Sequence, residues 1–134
     1  MTELPDLSLS GAPEFLRAAG LELEESTGTE VRGRVAAGPQ HHTPWGMVHG
    51  GLYATLIESA CSIGASLAVA EEGRFAVGLS NHTEFIRAHR DGPLDVLARP
   101  IHQGRTGQLW QCDVTREDGK LVARGQVRLQ NIDR

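Results

Sequence analysis

Residues 50–70 read GGLYATLIESACSIGASLAVA, a run with a single charged side chain, Glu58. It is rich in Ala and Leu, and Glu71, Glu72 and Gly73 stop it, so it predicts a helix of five or more turns. Small and apolar residues run all the way round this helix and leave no polar stripe. A helix of that kind is buried on most sides. In a chain of 134 residues, the rest of the sequence must wrap it. The length is near the ~20 residues that a membrane span needs. Thr55, Glu58, Ser59, Ser62, Ser66 and several glycines argue against a span, and no membrane partner is expected.

The flanking segments supply the wrapper. Residues 12–20 predict a short helix, with Pro13 at its start and Gly20 as its stop. Residues 21–25 and 29–37 read as strands joined at Thr27-Gly28; Val31, Gly33 and Val35 alternate with Arg32 and Arg34. Residues 38–44 form a loop carrying His41 and His42. Residues 75–87, 94–102, 107–116 and 120–131 are strand-like, with turn signals at Asp91-Gly92-Pro93 and Glu117-Asp118-Gly119. Two strands, one buried helix and four strands indicate an α+β class with an antiparallel sheet. Length and the absence of repeats or linkers predict one domain over 1–134, with about ten flexible residues at the N-terminus.

A net charge of −4 argues against a nucleic-acid partner, which usually requires a basic field. Cys61 and Cys112 form no CxxC pair; each sits in an apolar stretch and reads as a small buried hydrophobe. Nothing in the sequence suggests a disulfide framework, and the first ten residues lack the basic and apolar regions of a signal peptide. The expected location is the cytoplasm. His41, His42 and His49 lack helical i,i+4 spacing and have no accompanying cysteine, so no metal site is expected. The chain has no G-x-S-x-G elbow and no G-x-G-x-x-G turn, which excludes those hydrolase and dinucleotide readings.

Glu58 is the first candidate for chemistry. A carboxylate in a buried helix is costly unless paired, solvated or used. If buried, it should titrate high, which suits a general base or nucleophile. The competing reading is a structural carboxylate in a crevice or salt bridge. Val48-His49-Gly50-Gly51 opens the same helix. Free N–H groups and the positive dipole end can hold an oxyanion there, although a Gly-Gly pair alone is equally a helix-entry turn. Ser62, four residues beyond Glu58, and Thr55, three before it, share its face. An oxyanion donor set and a carboxylate on one helix suit acyl transfer.

The run Trp45-Gly46-Met47-Val48-His49-Gly50-Gly51-Leu52-Tyr53, followed by Leu56-Ile57-Glu58, resembles the signature of hotdog-fold acyl-CoA thioesterases. The resemblance is to the Arthrobacter-type 4-hydroxybenzoyl-CoA thioesterases and their phenylacetate-pathway relatives. It continues through Ala76-Val77-Gly78, Ser80-Asn81-His82-Thr83, Phe85, Arg87, Ile101-His102 and Gly104, and covers residues 33–131. It implies a hotdog fold, a sheet of five to six strands around one long helix. It also implies a homodimer or dimer of dimers with active sites between subunits, and hydrolysis of an acyl-CoA thioester without a cofactor, coenzyme A being part of the substrate. An aromatic or medium-size acyl group is favoured by the resemblance alone.

Site roles follow from the same resemblance. Glu58 becomes nucleophile or general base. The Gly50 N–H, with Gly51, polarises the thioester carbonyl. His49 shapes that turn or orients the thioester, and Ser62 supplies a hydroxyl near the attacking group. Arg87 and the turn Gly104-Arg105-Thr106 match positions that meet coenzyme A phosphates, with Arg105 where the family has a hydroxyl. One departure stands out: where the family has Asn or Gln, six residues before His49, this chain has Thr43. Thr43 does a smaller version of that job, or His42 replaces it. Two other readings of the fold remain. One is an acyl-CoA hydratase or dehydratase using His42 with Glu58; the other is a non-enzymatic acyl-CoA sensor.

Overall fold

The computed structural model describes residues 5–134. Helix α1 (Glu14–Ala19) follows Pro13, which serves as its N-cap, and ends at Gly20 in the left-handed conformation. Strands β1 (Glu22–Ser26) and β2 (Val31–Ala37) pair antiparallel, and a short 3-10 turn (Pro39–His41) leads into the loop before helix α2 (Gly50–Val69). A second 3-10 turn (Ala70–Glu72) precedes β3 (Arg74–Phe85), β4 (Gly92–Gln103), β5 (Gly107–Arg116) and β6 (Leu121–Asp133). All six strands form one antiparallel sheet in the order β1-β2-β4-β5-β6-β3. The expected α+β hotdog architecture is therefore the observed one.

The alternation read in β2 is real: Val31, Gly33, Val35 and Ala37 are buried, while Arg32 and Arg34 point to solvent. There the arginines meet Glu25, Glu30, Asp95 and Glu117. Strands β5 and β6 also present alternate residues inward, among them Trp110, Cys112, Val114, Val127 and Leu129. Against this face α2 packs Leu56, Ile57, Ala60, Cys61 and Ala65, all without exposed surface. Each large apolar side chain buried in this way stabilises by roughly 1.5–3 kcal/mol. That drive holds α2 inside the sheet, although its length and apolar content would also pass for a membrane span.

Two boundaries differ from the sequence reading. Gly92 and Pro93, read as turn residues, begin β4 and pair with Ala37 and Ala36. Proline is tolerated at a strand start because it removes only a peripheral ladder bond. At the N-terminus, residues 1–4 of the segment expected to be flexible lie outside the described residues. Leu7 and Leu9 from the same segment pack against the core.

Topology decides which residues meet. β3 follows α2 directly yet crosses to the far side of β6, where it forms a sheet edge of 12 residues. The carboxylate of the core helix reaches this edge.

Candidate active site

Glu58 projects from the middle of α2 toward β3 and is partly exposed. Its Oε2 accepts a hydrogen bond from Ser62 Oγ at 3.3 Å, one turn further along the helix. Its Oε1 accepts from Asn81 Nδ2 at 3.1 Å. Asn81 is fully committed: Nδ2 also donates to the Ala54 carbonyl at 3.1 Å, and Oδ1 accepts from Thr83 Oγ1 at 2.6 Å. Room for the carboxylate comes from Gly78, where an added Cβ would lie 2.4 Å from Glu58 Oε2. A bulge between Gly78 and Ser80 locally shifts the β3 register beside it. The sequence reading paired Glu58 with Ser62, and both are here. It missed Asn81, Thr83 and Gly78 as a group around the carboxylate. Glu58 is only partly buried, so the condition under which it would titrate high is not fully met; β3 is an edge strand and leaves one side open.

The second chemical element is the N-terminus of α2. His49 caps it: the Gly51 N–H donates to His49 Nδ1 at 2.7 Å, and the Leu52 N–H donates to the His49 carbonyl at 2.9 Å. Gly51, expected to share the oxyanion role, has its N–H engaged by that cap. The Gly50 N–H keeps no partner among the described residues. A Cβ at Gly50 would lie 2.6 Å from the Phe85 ring, so only glycine fits there without displacing Phe85. Thr55 Oγ1 is occupied in a back-bond to the Gly51 carbonyl.

A groove of about 250 Å³ opens beside Gly50, lined by residues including Thr43, Met47, Tyr53, Phe85 and Arg87. Thr43 therefore stands beside Gly50, with its Oγ1 accepting the Trp45 N–H at 3.2 Å in a tight turn. Tyr53 and Phe85 meet as tilted rings, centroids 6.1 Å apart. The Tyr53 hydroxyl is buried without a hydrogen-bond partner among the described residues, and burial pushes its pKa up to about 12. On the other side of the helix N-terminus lies a second groove of about 420 Å³, lined by residues including Phe15, His41, His42, His49 and Thr55.

His42 does not join Glu58. Its Nε2 sits 2.8 Å from the Arg90 carbonyl and 3.6 Å from Asp91, tying the loop to the β3–β4 connection. His41 Nε2 likewise sits 2.9 Å from the Ala18 carbonyl. Within one protomer the geometry does not bring His42 to Glu58, as the hydratase reading would need on a single chain. Arg87 is exposed at the mouth of the first groove and donates from Nη1 to the Leu121 carbonyl at 2.8 Å. Gly104, Arg105 and Thr106 form the β4–β5 turn, next to the start of β3 and hence at the opposite end of that strand from Arg87. One protomer does not bring the two phosphate candidates together. Among the described residues, no group of three His, Cys, Asp or Glu side chains could hold a metal ion.

The sequence and the fold are similar to those of known proteins. The model of the Thioesterase superfamily covers residues 46–123, from the turn before His49 to the start of β6. A provisionally assigned esterase of Mycobacterium tuberculosis is 39% identical over 116 residues, 85% of this chain and 83% of its own. The solved structure of that mycobacterial protein has a TM-score of 0.88 at 37% identity, covering 91% of this chain and 98% of its own. The crystal structure of a thioesterase from Haemophilus influenzae has a TM-score of 0.87 at 28% identity, covering 99% and 92%. The 1,4-dihydroxy-2-naphthoyl-CoA hydrolase of Escherichia coli is 33% identical over 84 residues, 63% of this chain and 61% of its own.

Proposed function

The chain belongs to the Thioesterase superfamily and is a hydrolase, and we propose that its substrate is an acyl-coenzyme A thioester cleaved through Glu58. The observation that carries this reading is the pairing of two features on α2: a carboxylate held by Ser62 and Asn81, and a Gly50 N–H without a partner among the described residues. The Gly50 N–H, at the positive end of the helix dipole, receives the carbonyl oxygen as it becomes an oxyanion. Glu58 either takes a proton from the attacking water or attacks the carbonyl carbon itself. On the first route, water oxygen bonds to the carbonyl carbon, the C–S bond breaks, and the proton passes to the departing sulfur. On the second, an acyl anhydride on Glu58 forms as the thiolate leaves, and water then hydrolyses it. Both routes give free acid and coenzyme A thiol and need no cofactor.

The site so described joins two subunits. Eight residues separate Gly50 from Glu58, a rise of ~12 Å along the helix. One thioester cannot lie within ~3 Å of both groups on the same helix. Strand β3 offers the means of joining two chains: it is a free sheet edge with Val77, Leu79 and Phe85 exposed along it and Ile86 just beyond. Glu58 lies against the Gly78–Asn81 part of β3, and Gly50 lies under Phe85 at its end. Antiparallel pairing of β3 with a second copy brings Glu58 of one chain toward Gly50 of the other. It also carries the Arg105 turn of one chain to the Arg87 end of its partner, where both can meet the nucleotide phosphates.

A panel of aryl-, arylacetyl- and medium-chain acyl-CoAs, assayed for thiol release, tests the reading. Turnover of at least one member is expected. Binding without thiol release from any member would favour a sensor, and hydration without thiol release a hydratase.

A further inference from the structure

The β4–β5 turn is oriented from inside the molecule. Asn131 is buried, and its side-chain Nδ2 donates to the Gly104 carbonyl at 3.1 Å and the Arg105 carbonyl at 3.3 Å. Its backbone N–H donates to the Thr106 carbonyl at 2.9 Å. Arg74 adds a second donor to the Arg105 carbonyl, from Nη1 at 2.9 Å, and Nη2 holds the Asn131 carbonyl at 3.0 Å. Three successive carbonyls are thus drawn toward β6 and the start of β3. In a trans peptide the N–H points opposite to the C=O of the same unit. The Arg105 and Thr106 N–H groups therefore face outward, on the side of the exposed Arg105 and Thr106 side chains. Successive outward N–H groups beside a guanidinium and a hydroxyl make an anion-binding concavity.

The amide of Asn131 cannot turn over to face its oxygen to this turn. Its Oδ1 accepts from Gln108 Nε2 at 2.8 Å, and Gln108 is itself anchored to the Ala65 carbonyl of α2 at 2.9 Å. Gln108 Oε1 accepts from Trp110 Nε1 at 2.8 Å and from Gln103 Nε2 at 3.1 Å. Every side-chain polar atom of the buried Asn131, Gln108 and Trp110 has a partner, so the donor end of Asn131 is fixed toward the turn.

We infer that Asn131, assisted by Arg74, is a positioning residue for phosphate recognition: it turns the peptide units that follow Gly104 and Arg105 so that the Arg105 and Thr106 N–H groups face the ligand. The inference rests on the proposal that this turn meets the phosphates of coenzyme A. It predicts a defect confined to substrates that carry those phosphates.

The test compares the best acyl-CoA substrate with the same acyl group on N-acetylcysteamine, which keeps the thioester and lacks nucleotide and phosphates. Asn131→Ala and Arg74→Met are measured beside Arg105→Ala, each with its thermal midpoint. For Asn131→Ala the expected result is a KM for acyl-CoA raised about tenfold, the scale of hydrogen bonds to charged groups. Its kcat, and its KM for the truncated thioester, should match the wild type. Arg74→Met should show the same split to a smaller extent, and it alone decides the matter if Asn131→Ala does not fold. Equal losses on both thioesters would make the role purely structural and overturn the inference. So would an unchanged KM for acyl-CoA in both variants while Arg105→Ala raises it. If Arg105→Ala also leaves KM unchanged, the phosphate reading of the turn fails and the inference fails with it.

Discussion

Gly78→Ala offers a test that separates catalysis from stability. Gly78 does not have a left-handed backbone, so alanine is conformationally permitted there, and leaving glycine in a strand should stabilise by roughly 0.5–1 kcal/mol. The new methyl would nevertheless lie 2.4 Å from Glu58 Oε2. That is about 1 Å short of the ~3.5 Å at which such atoms rest in contact. The obstructing atom is the tip of a flexible side chain, so the sheet can stay while the carboxylate moves. The bond from Ser62 is already 3.3 Å long and does not survive a further ångström, and the 3.1 Å bond from Asn81 is displaced with it. A misplacement of ~1 Å in a reacting group costs about a hundredfold in rate. Thiol release gives kcat, circular dichroism gives the thermal midpoint, and size-exclusion chromatography checks that the edge still assembles as in the wild type. The expected result is a kcat lower by about a hundredfold with the midpoint unchanged or raised. A kcat within about threefold of wild type, in a variant of unchanged assembly, would refute the argument that this carboxylate position is the catalytic one.

Three further outcomes follow from the same geometry. His49→Ala removes the acceptor that caps the Gly51 N–H and should cost about 1 kcal/mol in urea unfolding, with His49→Asn recovering part of that loss. Tyr53→Phe removes a buried hydroxyl without a partner among the described residues and should raise stability or leave it unchanged; a clear loss would mean that the hydroxyl is satisfied by water, ligand or a second subunit. Arg116, then the Lys120 N–H, holds the Asp118 carboxyl at about 2, below the ordinary 3.8. The stabilisation is therefore present above the unfolded value and is lost as pH falls through about 2, so the stability difference between wild type and Asp118→Asn should shrink between pH 4 and pH 2. The carboxyl is at the surface, so this difference should be small and weaken with salt.

Much of this fold was legible because α2 lacks a polar stripe: a helix apolar on all sides in a short chain demands a wrapper, and the alternation in β2 supplied its inner face. Strand order was not legible. Nothing local to residues 75–87 says that β3 crosses to the far side of β6, because that choice is made by packing against α2. The site divides along the same line. Glu58 and Ser62, and His49 and Gly50, are each close in sequence, so helical periodicity and capping chemistry exposed them. Asn81 lies 23 residues from Glu58 and meets it only through the placement of β3. Its one local signal was the polar run Ser80-Asn81-His82-Thr83, which follows the largely apolar stretch 75–79 of the same strand. His42 was the opposite case: a histidine near the site in sequence whose ring faces the Arg90 carbonyl once the loop is folded.

The proposed chemistry depends on Glu58 as the group that drives thioester cleavage. Glu58→Gln keeps the length of the side chain and can still accept from Ser62, while removing the charge and the basic oxygen. The decisive measurement is thiol release by this variant and the wild type from the acyl-CoA the wild type hydrolyses fastest, with midpoint and assembly matched. A loss of at least about a hundredfold in kcat, the scale of a positioned acid–base group, is the predicted result. A variant that releases thiol at the wild-type rate would contradict the central claim, and the carboxylate would then be a structural tie between α2 and the β3 edge.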